Sequence, residues 1–283
     1  MNRKTILNKT FLEGIGIHTG QPSKVTFLPQ EKPLGIRFIN LKDSSKLIII
    51  NANLENVKTT VRGTSIGKGT EIIHTVEHIL SACAGLGIDD LDVEINSHEP
   101  PIMDGSALEF TKALLKARIK EKKEQPKYFL SFEKEFEFNE GKSYYKVKSC
   151  RGLKFKLKFT NKHKMVGTQI IEINLNDETY MKDVSPARTF GFKNEIDYLL
   201  KNGLALGGSL KNAIIIEDEQ ILSSTGKLRF NDEFARHKLL DLIGDLKLMG
   251  FDFKNIFIEA GYTGHKTNID FAKLLKSKVT KIS

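Results

Sequence analysis

Three ionisable side chains recur at helical spacing in the segment from Asn231 to Gly250. His237, Asp241 and Asp245 lie at positions i, i+4 and i+8, so a helix would stack them on one face. Leucine and isoleucine fill six of the nine other positions from 237 to 248, which predicts a helix buried nearly all round. A buried ionisable group must be paired or bind a metal, and histidine with a carboxylate at i, i+4 makes good zinc ligands. The simpler alternative, a solvated face with one His–Asp pair, fits the apolar neighbours less well.

A second cluster lies in the first half of the chain. His74, Glu77 and His78 match the H-x-x-E-H pattern, in which both histidines bind zinc and the glutamate is the base of a metallopeptidase. That interpretation requires both histidines on one helix. Thr75 is a candidate N-cap, which would place His74 before the helix and Glu77 in its first turn. Because short motifs recur by chance, the metallopeptidase is the alternative function.

The elements that would position these residues occur twice in the same order. Each half begins with short strands separated by turns and continues with a helix, a strand and a helix. The helix, strand and helix are predicted at 76–84, 91–95 and 107–117 in the first half and at 232–249, 257–260 and 269–278 in the second. This order predicts an α+β fold of two similar domains, each a β-sheet layer with helices.

A charged stretch at residues 116–127 separates the two halves. It contains alternating lysine and glutamate and ends at Pro126, a composition typical of a linker. We therefore predict a first α+β domain at residues 1–120 and a second at 128–283.

The composition narrows the class of protein. The chain has 283 residues, of which 40% are hydrophobic and 28% charged, which excludes collagen, a disordered chain and a disulfide scaffold. Two distant cysteines suit a reducing compartment. The first 14 residues lack the apolar stretch of a signal peptide, so we expect a cytoplasmic protein, with transient contact to a membrane surface left open.

The net charge of +9 raises a non-enzymatic alternative, a nucleic-acid-binding protein. Such a protein would carry an Arg/Lys stripe interleaved with aromatic residues. We find no such stripe, and tryptophan is absent. On charge alone, lysines on solvated faces are the simpler interpretation, and we expect no nucleic acid. The oligomeric state is not predicted.

Seven short segments together carry a family resemblance. In chain order they are Glu13–Gly20, Thr75–His78, Pro101–Ser106, Ala187–Phe192, Gly207–Ser209, Arg236–Leu246 and Gly264–His265. Each segment is weak evidence alone, but all seven in this order closely resemble the UDP-3-O-acyl-N-acetylglucosamine deacetylases, the zinc amidases of lipid A biosynthesis. The resemblance runs from near residue 11 to near residue 270.

The resemblance implies an architecture and a metal site. The central helices would be packed between the sheets, with the active site where the two domains meet. Zinc would be held by His78, His237 and Asp241, so the first half supplies the ligand that the helical stripe lacks. Three protein ligands with one open position is the pattern of catalytic zinc. Iron could replace zinc in such a site, because ligand type alone does not decide between them.

The resemblance also implies catalytic roles. Glu77 would take a proton from the water that zinc activates, and the Thr189 hydroxyl would stabilise the oxyanion together with zinc. His265 would protonate the leaving amine. Asp245 would orient His265 and keep it cationic. The reaction would release acetate.

Substrate contacts are implied as well. Lys238 matches a contact to the diphosphate side of a UDP-linked acylated amino sugar, and Phe190 and Glu195 match positions near the sugar. The stretch 196–210 is the expected counterpart of the family's apolar passage for the acyl chain, whose preferred length the sequence does not give. Asn161 departs from the family pattern, because it stands where a phenylalanine lies near uracil; Phe159 is the candidate to replace that ring.

Overall fold

The computed structural model describes residues 1–42, 47–132 and 134–282. The α-helices are α1 (Glu77–Gly85), α2 (Leu108–Lys116), α3 (Asp177–Thr179), α4 (Lys193–Lys201), α5 (Glu233–Lys247) and α6 (His265–Lys278). The strands are β1 (Asn2–Ile6), β2 (Thr10–Ile15), β3 (Pro22–Pro29), β4 (Ile36–Asn40), β5 (Ile48–Asn51), β6 (Val57–Thr59), β7 (Ser65–Lys68), β8 (Glu71–Ile73), β9 (Leu91–Ile95), β10 (Ile119–Pro126), β11 (Phe129–Phe132), β12 (Phe136–Glu140), β13 (Ser143–Ser149), β14 (Leu153–Thr160), β15 (Thr168–Asn174), β16 (Phe190–Phe192), β17 (Ile214–Ile216), β18 (Ile221–Leu222), β19 (Asp252–Phe253), β20 (Ile256–Gly261) and β21 (Val279–Ile282). Among the described helices, none is both long enough and apolar enough to cross a membrane.

Two five-stranded sheets have the same connectivity. The first has the order β2-β3-β9-β4-β5 and the second the order β12-β13-β20-β14-β15. In each sheet one neighbouring pair is parallel, β4 with β9 and β14 with β20, and the other pairs are antiparallel. The helices α1 and α2 flank β9 along the chain, as α5 and α6 flank β20. The predicted α+β fold of two similar domains is confirmed.

Alternating side chains decide which face of each sheet is buried. In β14, apolar and lysine residues alternate, as expected for a strand with one face in the core. Phe155 and Leu157 are buried in the core, whereas Lys154 lies on the other face and pairs with Glu172 of β15. The sheets therefore turn their apolar faces toward the helices.

The helices form the layer between the two sheets. Helix α1 packs on α5, α2 packs on β2, and α5 packs on β14 and β15. One glycine permits the contact between the halves, because a β-carbon on Gly244 would lie 2.2 Å from the backbone oxygen of Glu77. The start of α1 can therefore approach α5 closely.

The charged stretch predicted as a linker contains a strand. Residues of β10 pair with β1 in antiparallel register, and α2 ends at Lys116 just before them. Lys122 is buried and donates to Asp90 over 2.6 Å and to three backbone carbonyls. Burial of this lysine depends on partners about 30 residues or more away along the chain, so the local composition did not reveal it. The exact division into residues 1–120 and 128–283 stays a prediction.

Candidate metal centre and active site

Two predicted metal ligands lie one turn apart on α5, and the third lies in the first turn of α1. His237 Nε2 is 3.4 Å from Asp241 Oδ1, and His78 Nε2 is 3.9 Å from the same oxygen. One potential ligand atom from each side chain lies within 4.8 Å of the others, and all three side chains are buried. The close approach of α1 to α5 at Gly244 therefore brings His78 to the stripe on α5.

The protonation of these side chains suits a metal ion. His237 Nδ1 lies 3.1 Å from the carbonyl oxygen of Ala187, which can only accept, so Nδ1 carries the proton and Nε2 keeps its lone pair. Within the described part of the chain, His78 Nδ1 has no hydrogen-bond partner. Burial and the neighbouring His237 lower the pKa of His78 to about 3. Burial also lowers the pKa of His237.

Asp241 completes the donor set as an anion. Burial alone would raise its pKa, but His237 and Lys238 hold the pKa well below its ordinary value. Two neutral imidazoles and one carboxylate are the protonation states that a divalent cation needs. The residues present therefore fit one metal ion with three protein ligands.

Glu77 lies beside this donor set and is itself buried. Its Oε2 accepts a hydrogen bond from the backbone amide of Thr64 over 3.0 Å. Burial raises the pKa of Glu77 to about 7, opposed by the positive charge of His265. Near neutral pH this carboxylate can therefore accept a proton and release it again.

His265 begins α6 and faces Glu77 across the cavity. Its Nε2 lies 3.8 Å from Glu77 Oε1, and its Nδ1 lies 3.0 Å from Asp245 Oδ2. Burial would lower the pKa of His265, but the carboxylates of Asp245 and Glu77 raise the pKa to about 9. The expected contact between Asp245 and His265 is present, and it favours the cationic ring.

Two partners of Asp245 were missed by the sequence analysis. Asn268 donates to its Oδ2 over 2.8 Å, and the Thr64 hydroxyl donates to its Oδ1 over 2.5 Å. Asn268 lies three residues after His265 on α6, a helical spacing that could have indicated it. Thr64 follows a turn in the first half of the chain, and nothing in its local sequence indicates the contact.

The four remaining predicted residues line the same cavity. Lys238 places its Nζ 2.7 Å from Asp241 Oδ2 and 5.7 Å from the ring centre of Phe190. Phe190 also packs on Phe234, with ring centres 4.7 Å apart. Glu195 pairs with Arg62 over 2.7 Å at the exposed side, and Thr189 lies on the wall of the cavity.

The cavity has a volume of about 360 Å³ and is lined by both polar and apolar side chains. The three candidate metal ligands, Glu77 and His265 are among the polar ones. Apolar side chains that line the cavity are Ile17, Ile102, Ile196, Leu199, Leu200, Ala205, Ala213 and Ile215. The stretch 196–210 thus lines part of the cavity, and its role in holding the acyl chain stays a prediction. The contributions of Ile17 and Ile102 from the first half were not predicted.

His74 does not join the metal ligands. Its Nδ1 lies 2.9 Å from the Ser65 hydroxyl, and it precedes α1, which begins at Glu77. The N-cap is Val76, so the prediction of Thr75 as N-cap is wrong: Thr75 has a φ of 54° and donates its hydroxyl to Glu99. The consequence drawn from it, that His74 lies before the helix, is confirmed. The H-x-x-E-H metallopeptidase has no support.

The segment that departs from the family pattern forms a turn. Asn161 Oδ1 accepts from the amide of His163 over 2.8 Å. Phe159 packs against Phe190, with ring centres 5.4 Å apart, and against Phe234. The ring of Phe159 is therefore part of the aromatic cluster beneath the cavity wall.

The fold and the site together define an α+β hydrolase with a candidate site for one metal ion. The family described as UDP-3-O-acyl N-acetylglycosamine deacetylase matches residues 3–277. A relative from Thermodesulfovibrio yellowstonii, named UDP-3-O-acyl-N-acetylglucosamine deacetylase, is 41% identical over 274 residues, covering 96% of this chain and 91% of the relative. A relative of the same name from Nautilia profundicola is 39% identical and covers 95% of this chain and 89% of the relative. Another from Cellvibrio japonicus is 39% identical and covers 97% of this chain and 90% of the relative. The chain belongs to the UDP-3-O-acyl N-acetylglycosamine deacetylase family.

Proposed function

We propose that this protein removes the N-acetyl group from UDP-3-O-acyl-N-acetylglucosamine, releasing acetate, in lipid A biosynthesis. Membership of the family supports the substrate and the reaction. The observation that carries the proposal is the convergence of His78, His237 and Asp241 within 4.8 Å, beside a buried carboxylate and a cationic histidine. This arrangement suits hydrolysis of an amide.

We propose zinc as the metal, held by His78, His237 and Asp241. When bound, the ion supplies a Lewis acid and lowers the pKa of a water molecule enough to make a nucleophile at neutral pH. Iron also fits two histidines and an aspartate, and metal analysis of the purified protein distinguishes the two.

Glu77 is the proposed general base. Its carboxylate lies next to ligand His78 in the chain and faces the cavity, and a pKa of about 7 lets it accept a proton from the attacking water. Glu77 Oε1 and His265 Nε2 lie 3.8 Å apart, so the base and the acid can both reach the same amide group of the substrate.

His265 is the proposed general acid. Asp245 accepts from Nδ1, which leaves Nε2 facing the cavity as the atom that gives its proton to the leaving amine. The hydroxyl of Thr189, which also lines the cavity, is the proposed partner of the oxyanion.

The rest of the cavity suits the remainder of the substrate. The ammonium group of Lys238 lies beside Asp241 on the cavity wall, and we propose that it faces the diphosphate. Phe190 and Glu195 line the same cavity, and we propose that they contact the sugar. The apolar side chains that line the cavity suit a 3-O-acyl chain. We propose this UDP-linked small molecule, and not a nucleic acid, as the partner of the basic chain.

The cavity draws on both halves of the chain, since α1 belongs to the first and α5 and α6 to the second. Two sheets of identical connectivity support the proposed division into domains at 1–120 and 128–283. We propose a cytoplasmic location, which the free cysteines Cys83 and Cys150 support.

The test is release of acetate from purified UDP-3-O-acyl-N-acetylglucosamine, with and without a chelator. We expect acetate in stoichiometric amounts, loss of activity after chelation and recovery on adding zinc. Activity that survives complete removal of metal would contradict the proposal. Salt-sensitive binding of DNA or RNA, without acetate release, would favour the nucleic-acid-binding alternative.

A further inference from the structure

The amide, the carbonyl and the hydroxyl of Thr64 all make hydrogen bonds at the boundary between the two halves. Its amide donates to Glu77 Oε2 over 3.0 Å, and its carbonyl accepts from the amide of Val76 over 3.1 Å. Its hydroxyl donates to Asp245 Oδ1 over 2.5 Å. The side chain is fully buried, and Asp245 lies 181 residues further along the chain. One residue therefore contacts both the proposed base and the carboxylate that orients the proposed acid.

The backbone around Thr64 fixes the position of the Glu77 carboxylate. A β-carbon on the preceding Gly63 would lie 2.9 Å from Glu77 Oε1, so the loop passes directly against this group. The amide of Thr64 meets the other oxygen. Because the carbonyl of Thr64 accepts a hydrogen bond from Val76 at the start of α1, the loop is held against the helix that carries Glu77.

The hydroxyl of Thr64 fixes the position of the Asp245 carboxylate. It has one proton, which it gives to Asp245 Oδ1, so a lone pair of its oxygen is left to face His265 Nδ1 at 3.3 Å. Asn268 donates to Asp245 Oδ2, which also accepts from His265 Nδ1. With both oxygens held, the carboxylate keeps the ring turned so that Nε2 points at Glu77 Oε1.

We infer that Thr64 is a positioning residue that joins the general base to the general acid across the two halves; this inference rests on the proposed deacetylase function. Its amide orients Glu77, and its hydroxyl orients Asp245 and through it His265. Removal of the hydroxyl leaves a buried carboxylate oxygen without its donor, and the carboxylate then turns away from the geometry that aims Nε2 at the substrate.

Three variants separate this role from a merely structural one. Thr64→Val keeps the shape and the amide but loses the hydroxyl, and Thr64→Ser keeps the hydroxyl. Thr111→Val is the matched control, because Thr111 is also buried and its hydroxyl donates to the backbone carbonyl of Ala107, the N-cap of α2. We expect Thr64→Val to lower kcat about 10–100-fold with KM close to wild type, Thr64→Ser to recover most of that loss, and Thr111→Val to change only the melting temperature.

Two further measurements distinguish an effect through Asp245 and His265 from a general loss of structure. In an Asp245→Asn background, the Thr64→Val change should cause little additional loss of kcat, because the hydroxyl acts through Asp245. The proton resonance of His265 Nδ1, assigned by its absence in His265→Ala, should shift in Thr64→Val and return in Thr64→Ser. Equal losses in the Val and Ser variants, or a wild-type kcat with an unshifted resonance in Thr64→Val, would overturn the inference. If the wild-type protein releases no acetate, the proposed function fails, and the resonance alone decides whether Thr64 orients His265.

Discussion

Gly244 lies directly against the backbone of Glu77. A β-carbon at residue 244 would come within 2.2 Å of the Glu77 carbonyl oxygen, so only glycine lets α1 and α5 meet this closely. The next residue along α1 is His78, the proposed metal ligand from the first half of the chain. The spacing of two helices at this contact therefore sets the position of one ligand against the other two.

Replacing Gly244 by alanine tests that relationship. The methyl group must push α1 away from α5, at a cost of about 1–3 kcal/mol in stability, and His78 should move away from His237 and Asp241. We expect a lower melting temperature and weaker zinc binding, measured by calorimetry and competition with a chromogenic chelator. Gly264→Ala is the control, since its β-carbon meets nothing within 4 Å and should preserve both quantities. Unchanged zinc affinity in Gly244→Ala would contradict the account.

The acid and base assignments predict a bell-shaped dependence of rate on pH. Glu77 works deprotonated, so activity rises as pH increases through its pKa of about 7; a bound cation would move this limb to lower pH. His265 works protonated, so activity falls as pH increases through its pKa of about 9. Because the two groups interact, each limb belongs to the pair. Glu77→Ala should flatten the acidic limb and His265→Ala the basic limb; two unchanged limbs would refute the roles.

Lys238 should act on substrate affinity. Its Nζ lies on the cavity wall, and its loss removes a cation from the place proposed for the diphosphate. We expect Lys238→Ala to raise KM about tenfold, which is about 1.4 kcal/mol, with a smaller effect on kcat. Lys164→Ala, at an exposed pair with Glu219, is the control. A loss of bound metal with unchanged KM would show instead that Lys238 acts only through Asp241.

A buried charge cluster far from the cavity makes the stability depend on pH. Burial would raise the pKa of Asp252, but Lys247 and Lys127 lower the pKa to about 2. Since the folded pKa is below the unfolded value near 4, the stabilisation is complete above pH 4 and is lost as pH falls toward 2.

The expected contribution of this cluster is on the order of 2 kcal/mol at pH 6, of which about 1 kcal/mol should be lost by pH 3, measured as the unfolding free energy by urea titration at the two pH values. Asp252→Asn should remove this part of the pH dependence. Glu13→Gln, which breaks an exposed pair with Lys24, should leave it intact. If Asp252→Asn and the wild type lose stability in parallel, the cluster does not contribute in this way.

The sequence predicted the site residues that share one face of a single helix. His237, Asp241 and Asp245 follow helical spacing, so their common face was predictable from local order alone. His78 was a zinc-ligand candidate from the H-x-x-E-H pattern, but only the family resemblance grouped it with His237 and Asp241, because its approach to α5 depends on a long-range contact. The α+β class and the repeated order of elements were likewise visible in the pattern of strands and helices.

Contacts between distant segments account for what was missed. Thr64 reaches Asp245 across 181 residues, and a threonine in a loop has no periodic signal. The strand β10 was hidden by its lysines and glutamates, although Lys122 is buried against Asp90. In both cases tertiary partners satisfy polar groups that the local sequence would assign to solvent.

Metal content and acetate release of single variants test the central claim most directly. The account predicts that His78→Ala, His237→Ala and Asp241→Ala each lose the bound metal and the release of acetate from UDP-3-O-acyl-N-acetylglucosamine, whereas His74→Ala keeps both. If His74→Ala empties the site while Asp241→Ala retains its metal and its activity, the assignment of this centre is contradicted.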